Sequence, residues 1–470
     1  MRSIDMSPER PIRWAIVPAL LVLFGFAGTA RTQEAAIDPR VERQIELLAT
    51  GNDWARAVAA GSLGELGSRA AVDPLIEALD DDNGRVRAAA AGALGRLEDP
   101  SAVPPLILRL TDAEAEVRTA AADALGGLKA RAAADALLGL LQDDAWRVRA
   151  AAGRALAAQD DRRSVPYLLA ALEAHESGER VAAAGALGEM GEPDAVDPLI
   201  RALGDRNRHV RAAVAAALGE IGDIAAREPL ADALEDDQVG VQAAAARALG
   251  QIGDGRSLHL LSAALRDREP ELRTAAAEGM GFLGDEQAIP HLMAALGDED
   301  RDARLAARRA LLKIGGPVVG AAIAGLENED PQVATAAAII LGRVGDHRGV
   351  DPLIAALDDD RHALRDAAEN ALVEIGEPAV DSLIRALDEG TLEQRRLSAR
   401  ALGTLRPAAA LDPLMAALED PAWQVRAQSA LALGNLGDRR AVGPLRVLLE
   451  QGDPRTREYA MQAIAILEAH

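Results

Sequence analysis

The chain has 470 residues, 49% hydrophobic and 27% charged, with 2% aromatic, no cysteine and a formal net charge of −23. These values exclude intrinsic disorder, disulfide frameworks, zinc–thiolate centres and cysteine nucleophiles, and the acidic excess opposes binding to phosphate backbones or anionic lipid. With few rings to fill a wide core, and with Ala and Leu, the strongest helix formers, in abundance, thin all-helical layers are predicted.

In chain order, the first element is an N-terminal segment unlike the rest. Arg2, Arg10 and Arg13 precede an uncharged apolar run over residues 14–30, which ends in the small residues Gly28, Thr29 and Ala30. This layout predicts a secretory signal peptide over residues 1–30, leaving 31–470 as the mature domain. At 17 residues, and containing Pro18 and Gly25, the run is short for a spanning helix. An uncleaved anchor is the alternative. The expected location is therefore outside the bacterial cytoplasm, in the periplasm or beyond the cell, with no membrane contact except through this segment.

From about residue 39 onward one pattern returns every 30 or 31 residues. A clear copy has Asp73, Pro74, Leu75 and Ile76, then acidic residues 80–82, Val86-Arg87, alanines at 88–91, and Leu94-Gly95. The anchor leucine of this copy has counterparts at Leu63, Leu125, Leu156, Leu187, Leu218, Leu249, Met280, Leu311, Leu341, Leu372, Leu402, Leu433 and Ile464, which makes fourteen units. Leu75, Ile76 and Leu79 share one face of a first helix, and Val86, Ala90, Ala93, Leu94 and Leu97 share one face of a second. Pro74 and its equivalents predict a kink or restart in the first helix. Glycines such as Gly222, Gly253 and Gly376 predict left-handed helix ends, and Asp223, Asp254 and Asp285 predict caps for the next helix. No single pair can bury its apolar face alone, so the predicted fold is an all-α solenoid of the armadillo/HEAT type with a concave and a convex side. Units nine and eleven are one residue short, at Gly315-Gly316-Pro317 and Gly376-Glu377-Pro378, which predicts altered curvature there.

The Val-Arg-Ala-Ala-Ala run, the Leu-Gly pair, the Pro-Leu helix and the unit length resemble the HEAT-like repeats of the phycobilin lyase type. The resemblance covers about residues 39–470. It implies the fold but no one activity, because the family includes lyases, hydroxylases, enzymes acting on nucleic acid and plain scaffolds.

An arginine recurs seven residues before each anchor, including Arg56, Arg87, Arg118, Arg149, Arg180, Arg211, Arg273 and Arg304; Gln242 and Ala334 depart from the pattern. Six residues before it stands an aspartate in most units, including Asp81, Asp112, Asp143, Asp205, Asp236 and Asp267. Arginine's planar fork suits carboxylates in fixed geometry. The predicted role is a structural ladder joining the turns of neighbouring units, rather than a stripe for an anionic ligand.

Motifs for chemistry are missing from the sequence. The seven histidines are scattered, and the only His-Glu dipeptide is His175-Glu176, whereas the resemblance to deoxyhypusine hydroxylases would require several to hold two irons. No phosphate-binding glycine loop or nucleophile elbow is present. No catalytic, metal or cofactor residue is assigned, and no cofactor is expected. Trp54, Trp146 and Trp423 are expected to pack the starts of second helices. Arg301, Arg304 and Arg308 form one helical stripe, joined by Arg309 and Lys313, and are the candidate partner-binding residues; Arg395, Arg396 and Arg400 form a weaker patch. In the last helix, Tyr459, Met461, Ile464, Ile466 and Leu467 suggest an exposed apolar end. The expected function is a non-catalytic scaffold that binds another protein and no nucleic acid. The alternative is an enzyme or enzyme subunit of the same fold, resembling the bilin lyases or deoxyhypusine hydroxylases.

Overall fold

A computed structural model describes residues 37–469; the expected signal peptide lies outside them. Among these residues there are 28 α-helices and no strand, paired into fourteen units from Pro39–Thr50 with Asp53–Leu66 to Val442–Gln451 with Pro454–Ala469.

A typical unit begins with a three-residue 3-10 turn, continues into a seven-residue first helix, and ends in a second helix of thirteen or fourteen residues. The restart expected near proline lies just upstream of it. Arg69–Ala71 is the 3-10 turn and Val72–Ala78 the helix, with Pro74 in its first turn, where a missing N–H costs nothing. The carboxylates of Asp223, Asp254 and Asp285 accept backbone hydrogen bonds from residues 225, 256 and 287, and so cap the 3-10 turns.

Second helices end on left-handed residues. Gly222 (φ 76°, ψ 16°) and Gly253 (φ 75°, ψ 16°) are representative. Gly315 (φ 78°, ψ −132°) and Gly376 (φ 79°, ψ −134°) differ, adopting a conformation almost confined to glycine. Each ends one helix and starts the next 3-10 turn without a capping aspartate. These are the two shortened connections.

The core is thin and aliphatic. Every anchor from Leu63 to Leu433 is fully buried, each contributing on the order of 2 kcal/mol. Buried side chains form two contiguous runs, Val41 to Leu156 and Ala157 to Leu467, with Tyr167 packed against both.

Second helices of successive units pack along their length, whereas first helices only brush one another. The closely spaced layer is therefore the inner one, and the rod bends toward it. The glycine that follows most anchors sets this spacing. A Cβ on Gly64, Gly95, Gly188, Gly219, Gly342 or Gly403 would come within 2.7–2.9 Å of the Cα of the next unit's alanine. Backbone is thus packed directly against backbone.

Units nine and eleven break this rule. Leu312 and Val373 replace that glycine. One turn earlier, where ten interior units have Ala or Gly, these two have Arg308 and Glu369. Large side chains at both positions wedge the helices apart. Second helix Arg301–Ile314 accordingly packs much less against Pro331–Val344 than its counterparts do, and His362–Ile375 against Leu392–Leu405 likewise.

The expected apolar end is corrected. Ile464 and Leu467 are buried, because Ile464 is the unit's anchor and performs the same core task as every other. Tyr459 and Ile466 are half-buried, and only Met461 is well exposed. Trp54 is also corrected: it is 75% exposed and packs nothing. Its one-place offset moves it off the face where Trp146 lies over Gly178, and where the Arg455 guanidinium covers Trp423 at 4.8 Å.

Candidate interaction surface

Most of the recurrent arginines share one geometry. Arg87 Nη1 donates to the Asp81 carbonyl of its own turn at 2.8 Å. Its Nε and Nη2 form a fork on the next unit's Asp112 at 2.8 and 2.9 Å. Arg56 with Asp81, Arg118 with Asp143, Arg180 with Asp205, Arg211 with Asp236, Arg273 with Asp298 and Arg395 with Asp420 repeat the fork. Each aspartate also accepts a backbone N–H two residues on, as Asp81 does from Asn83. The Arg87 side-chain hydrogen bond holds the Asp112 carboxyl below its ordinary value of 3.8, outweighing the effect of burial.

Unit five has Ala174 where the aspartate should stand. In the structure Glu179, from the second helix, takes both nitrogens of Arg149 at 2.7 Å and accepts the Tyr167 hydroxyl. Burial pushes Glu179 up, but these two partners bring its carboxyl below its ordinary value. A glutamate directly before the recurrent arginine, in a unit that lacks the turn acid and carries a Tyr in its first helix, was the available signal.

The ladder is interrupted at the two departures and around the wedges. Gln242 keeps only the carbonyl bond, to residue 236. The Asp267 carboxylate is left with the backbone of Glu269. Arg304 bonds to carbonyls 298 and 299, and Arg365 to carbonyls 359 and 360; neither makes an ion pair among the described residues. Unit ten has Asn328 and Ala334. Asp359 is instead gripped by Arg361, which also reaches back to carbonyls 326 and 328.

The second helices turn one face to solvent along the inner side. One row on that face runs Gly61, Gly92, Asp123, Arg154, Gly185, Ala216, Arg247, Glu278, Arg309 and Ile339. Buried positions hardly vary between units, whereas this row changes from one unit to the next. Its charges pair across units, as in Arg154 with Asp123 at 2.7 Å. At unit five the surface opens into a hollow of about 810 Å³ floored by Gly178, Gly185 and Ala182 and flanked by Glu189 and Glu220. Burial, with Glu189 alongside, pushes the Glu220 carboxyl up.

Arg301, Arg304 and Arg308 come together on one wall of a cleft of about 400 Å³ between the second helices of units nine and ten. Leu296, Leu305 and Ile339 supply apolar lining. The weaker patch does not gather into a comparable site, because Arg395 pairs with Asp420, Arg396 with Glu393, and Arg400 with Glu369. No group of three or more His, Asp or Glu among the described residues has the geometry to hold a metal. His175 reaches only Glu176, at 3.3 Å, and both are exposed. No helix among the described residues is long and apolar enough to cross a membrane.

Fold and surface together define an α-solenoid whose core serves stacking and whose inner face varies. A family model described as HEAT repeats matches residues 41–126, 103–180, 168–241, 230–312, 320–402 and 393–465. The chain therefore belongs to the HEAT repeat family. Among solved structures it is similar to the complex of CpcE and CpcF of phycocyanin lyase from Nostoc sp. PCC7120, at 26% identity over 55% of this chain and 98% of that one, TM-score 0.37. It is also similar to yeast importin-beta (Kap95p), at 16% identity over 92% of this chain and 73% of that one, TM-score 0.49. Kap121p matches at 14% identity over 86% and 53%, TM-score 0.48. A search of curated proteins found no match.

Proposed function

We propose that this chain is a non-catalytic scaffold, exported from the bacterial cytoplasm by residues 1–30, that binds another protein along its inner face. The observation that carries this reading is the contrast within each second helix. Core and spacing positions repeat unit after unit, while the solvent row changes unit by unit and includes glycines at 61 and 185 that have open space above them. A variable surface that includes small residues lets a partner backbone approach closely. The net charge of −23 favours a protein partner over a phosphate polymer. The test is affinity capture from the native envelope with the chain lacking residues 1–30. A stoichiometric protein partner is expected, lost when Gly61, Gly92 and Gly185 are together replaced by glutamate. Capture of nothing, or purification with stoichiometric iron or bilin, would overturn the scaffold reading.

A further inference from the structure

The two wedges differ in how their gaps are closed. In unit eleven the wedging residue is Glu369, and Arg400 of unit twelve inserts to pair with it, reaching Asp366 as well. Thr391 bonds to Asp358 at 2.7 Å, and the Gln394 amide to carbonyl 354 at 3.2 Å. That gap is closed from within the chain.

In unit nine the wedging residue is Arg308, and the position corresponding to Arg400 is Ile339 in unit ten. Ile339 cannot answer a cation. Among the described residues no side-chain hydrogen bond or ion pair crosses from unit nine to unit ten. The turn acid that would take the Arg304 fork is Asn328. The cleft of about 400 Å³ is thus a gap of the same origin, with the carboxylate missing.

Resting on the scaffold reading above, we propose that this cleft receives an acidic segment of the protein partner, seating one Asp or Glu carboxylate among Arg301, Arg304 and Arg308 and its aliphatic neighbours against Leu296, Leu305 and Ile339. Bidentate guanidinium geometry suits a carboxylate, and Glu369 with Arg400 supplies the same chemistry at the matching joint. Acidic residues Asp298, Glu299, Asp300 and Asp330 lie on the turns at either side. They admit a single carboxylate but repel an extended polyanion, which argues against nucleic acid.

The test uses the full chain as bait for a random peptide display library. Recovered peptides are expected to carry Asp or Glu flanked by Leu, Ile or Val. Their affinity should fall about tenfold or more with Arg308→Ala, with Arg301→Glu, and on amidation of the peptide's acid. Arg308→Ala installs the residue most units already have, and Arg301 is exposed, so neither change threatens folding; unchanged thermal melting checks this. Peptides without an acidic consensus, peptides indifferent to both variants, or displacement by a short DNA duplex would overturn the cleft proposal. Peptides that bind elsewhere on the inner face would do so while leaving the scaffold reading intact; recovery of no peptide at all would count against both.

Discussion

Units two to eight and the stretch from unit nine to unit twelve are built from the same repeat yet held together differently. In the first region backbone meets backbone at every glycine that follows an anchor, apart from Ala157, and seven of the eight arginine positions from Arg56 to Arg273 close a fork on the next unit. In the second, wedges replace glycine, forks open, and polar contacts are improvised by Arg361 and Arg400 or missing. Uniform stacking and a site for a partner are thus alternative uses of one interface: close packing leaves no room for a ligand, and a wedge creates it.

The largest expected effect comes from imposing a wedge where there is none. Gly219→Leu drives a side chain into the Cα of Ala248, which a Cβ alone would approach to 2.7 Å. The expected loss is about 3 kcal/mol or more, whereas Leu312→Ala in the loose joint costs about 1 kcal/mol. Because long arrays do not unfold in one step, both are read by hydrogen exchange of the local second helices; equal costs would erase the distinction between the regions.

Next in size is the ladder. Arg211→Ala, which removes a fork with both partners largely buried, is expected to cost about 2 kcal/mol locally. Arg365→Ala removes carbonyl bonds only and costs less than about 1 kcal/mol. A reversed order would show that the forks do not contribute to stacking.

Acid sharpens the same contrast. The carboxyls of Asp81, Asp112, Asp143 and Asp236 are held below the ordinary 3.8, in each case chiefly by the arginine's hydrogen bond. A depressed folded-state value means that the stabilisation is complete above 3.8 and is lost as pH falls through the folded value. Units two to eight should therefore lose protection steeply below pH 3.8, and the unit nine–ten joint much less. Parallel loss in both would contradict the assignment. The smallest effect is expected at tryptophan: Trp54→Ala should change melting by less than about 0.5 kcal/mol, and Trp146→Ala by about 1 kcal/mol.

Much of this was legible in the sequence because a repeat states each rule many times over. Helix pairing, anchors, caps and the shortened connections all follow from spacing. The Arg301, Arg304 and Arg308 stripe was also visible from helical periodicity, but the cleft beside it was not. Its existence depends on Arg308 and Leu312 facing the next helix rather than solvent, which requires knowing which helix faces touch. Glu179 was hidden for a related reason, since it substitutes for a turn residue from a different element. Ile464 and Leu467 were misjudged because an apolar face at a chain end looks the same in sequence whether or not a neighbouring helix covers it.

The central claim is that one continuous stack contains a widened joint between units nine and ten. Hydrogen–deuterium exchange of the whole chain, resolved by peptide, tests it directly. The account predicts strong, even protection of second helices from Gly84–Leu97 to Pro270–Leu283 and a marked drop where Arg301–Ile314 faces Pro331–Val344. Protection that runs undiminished through residues 301–344 would contradict it.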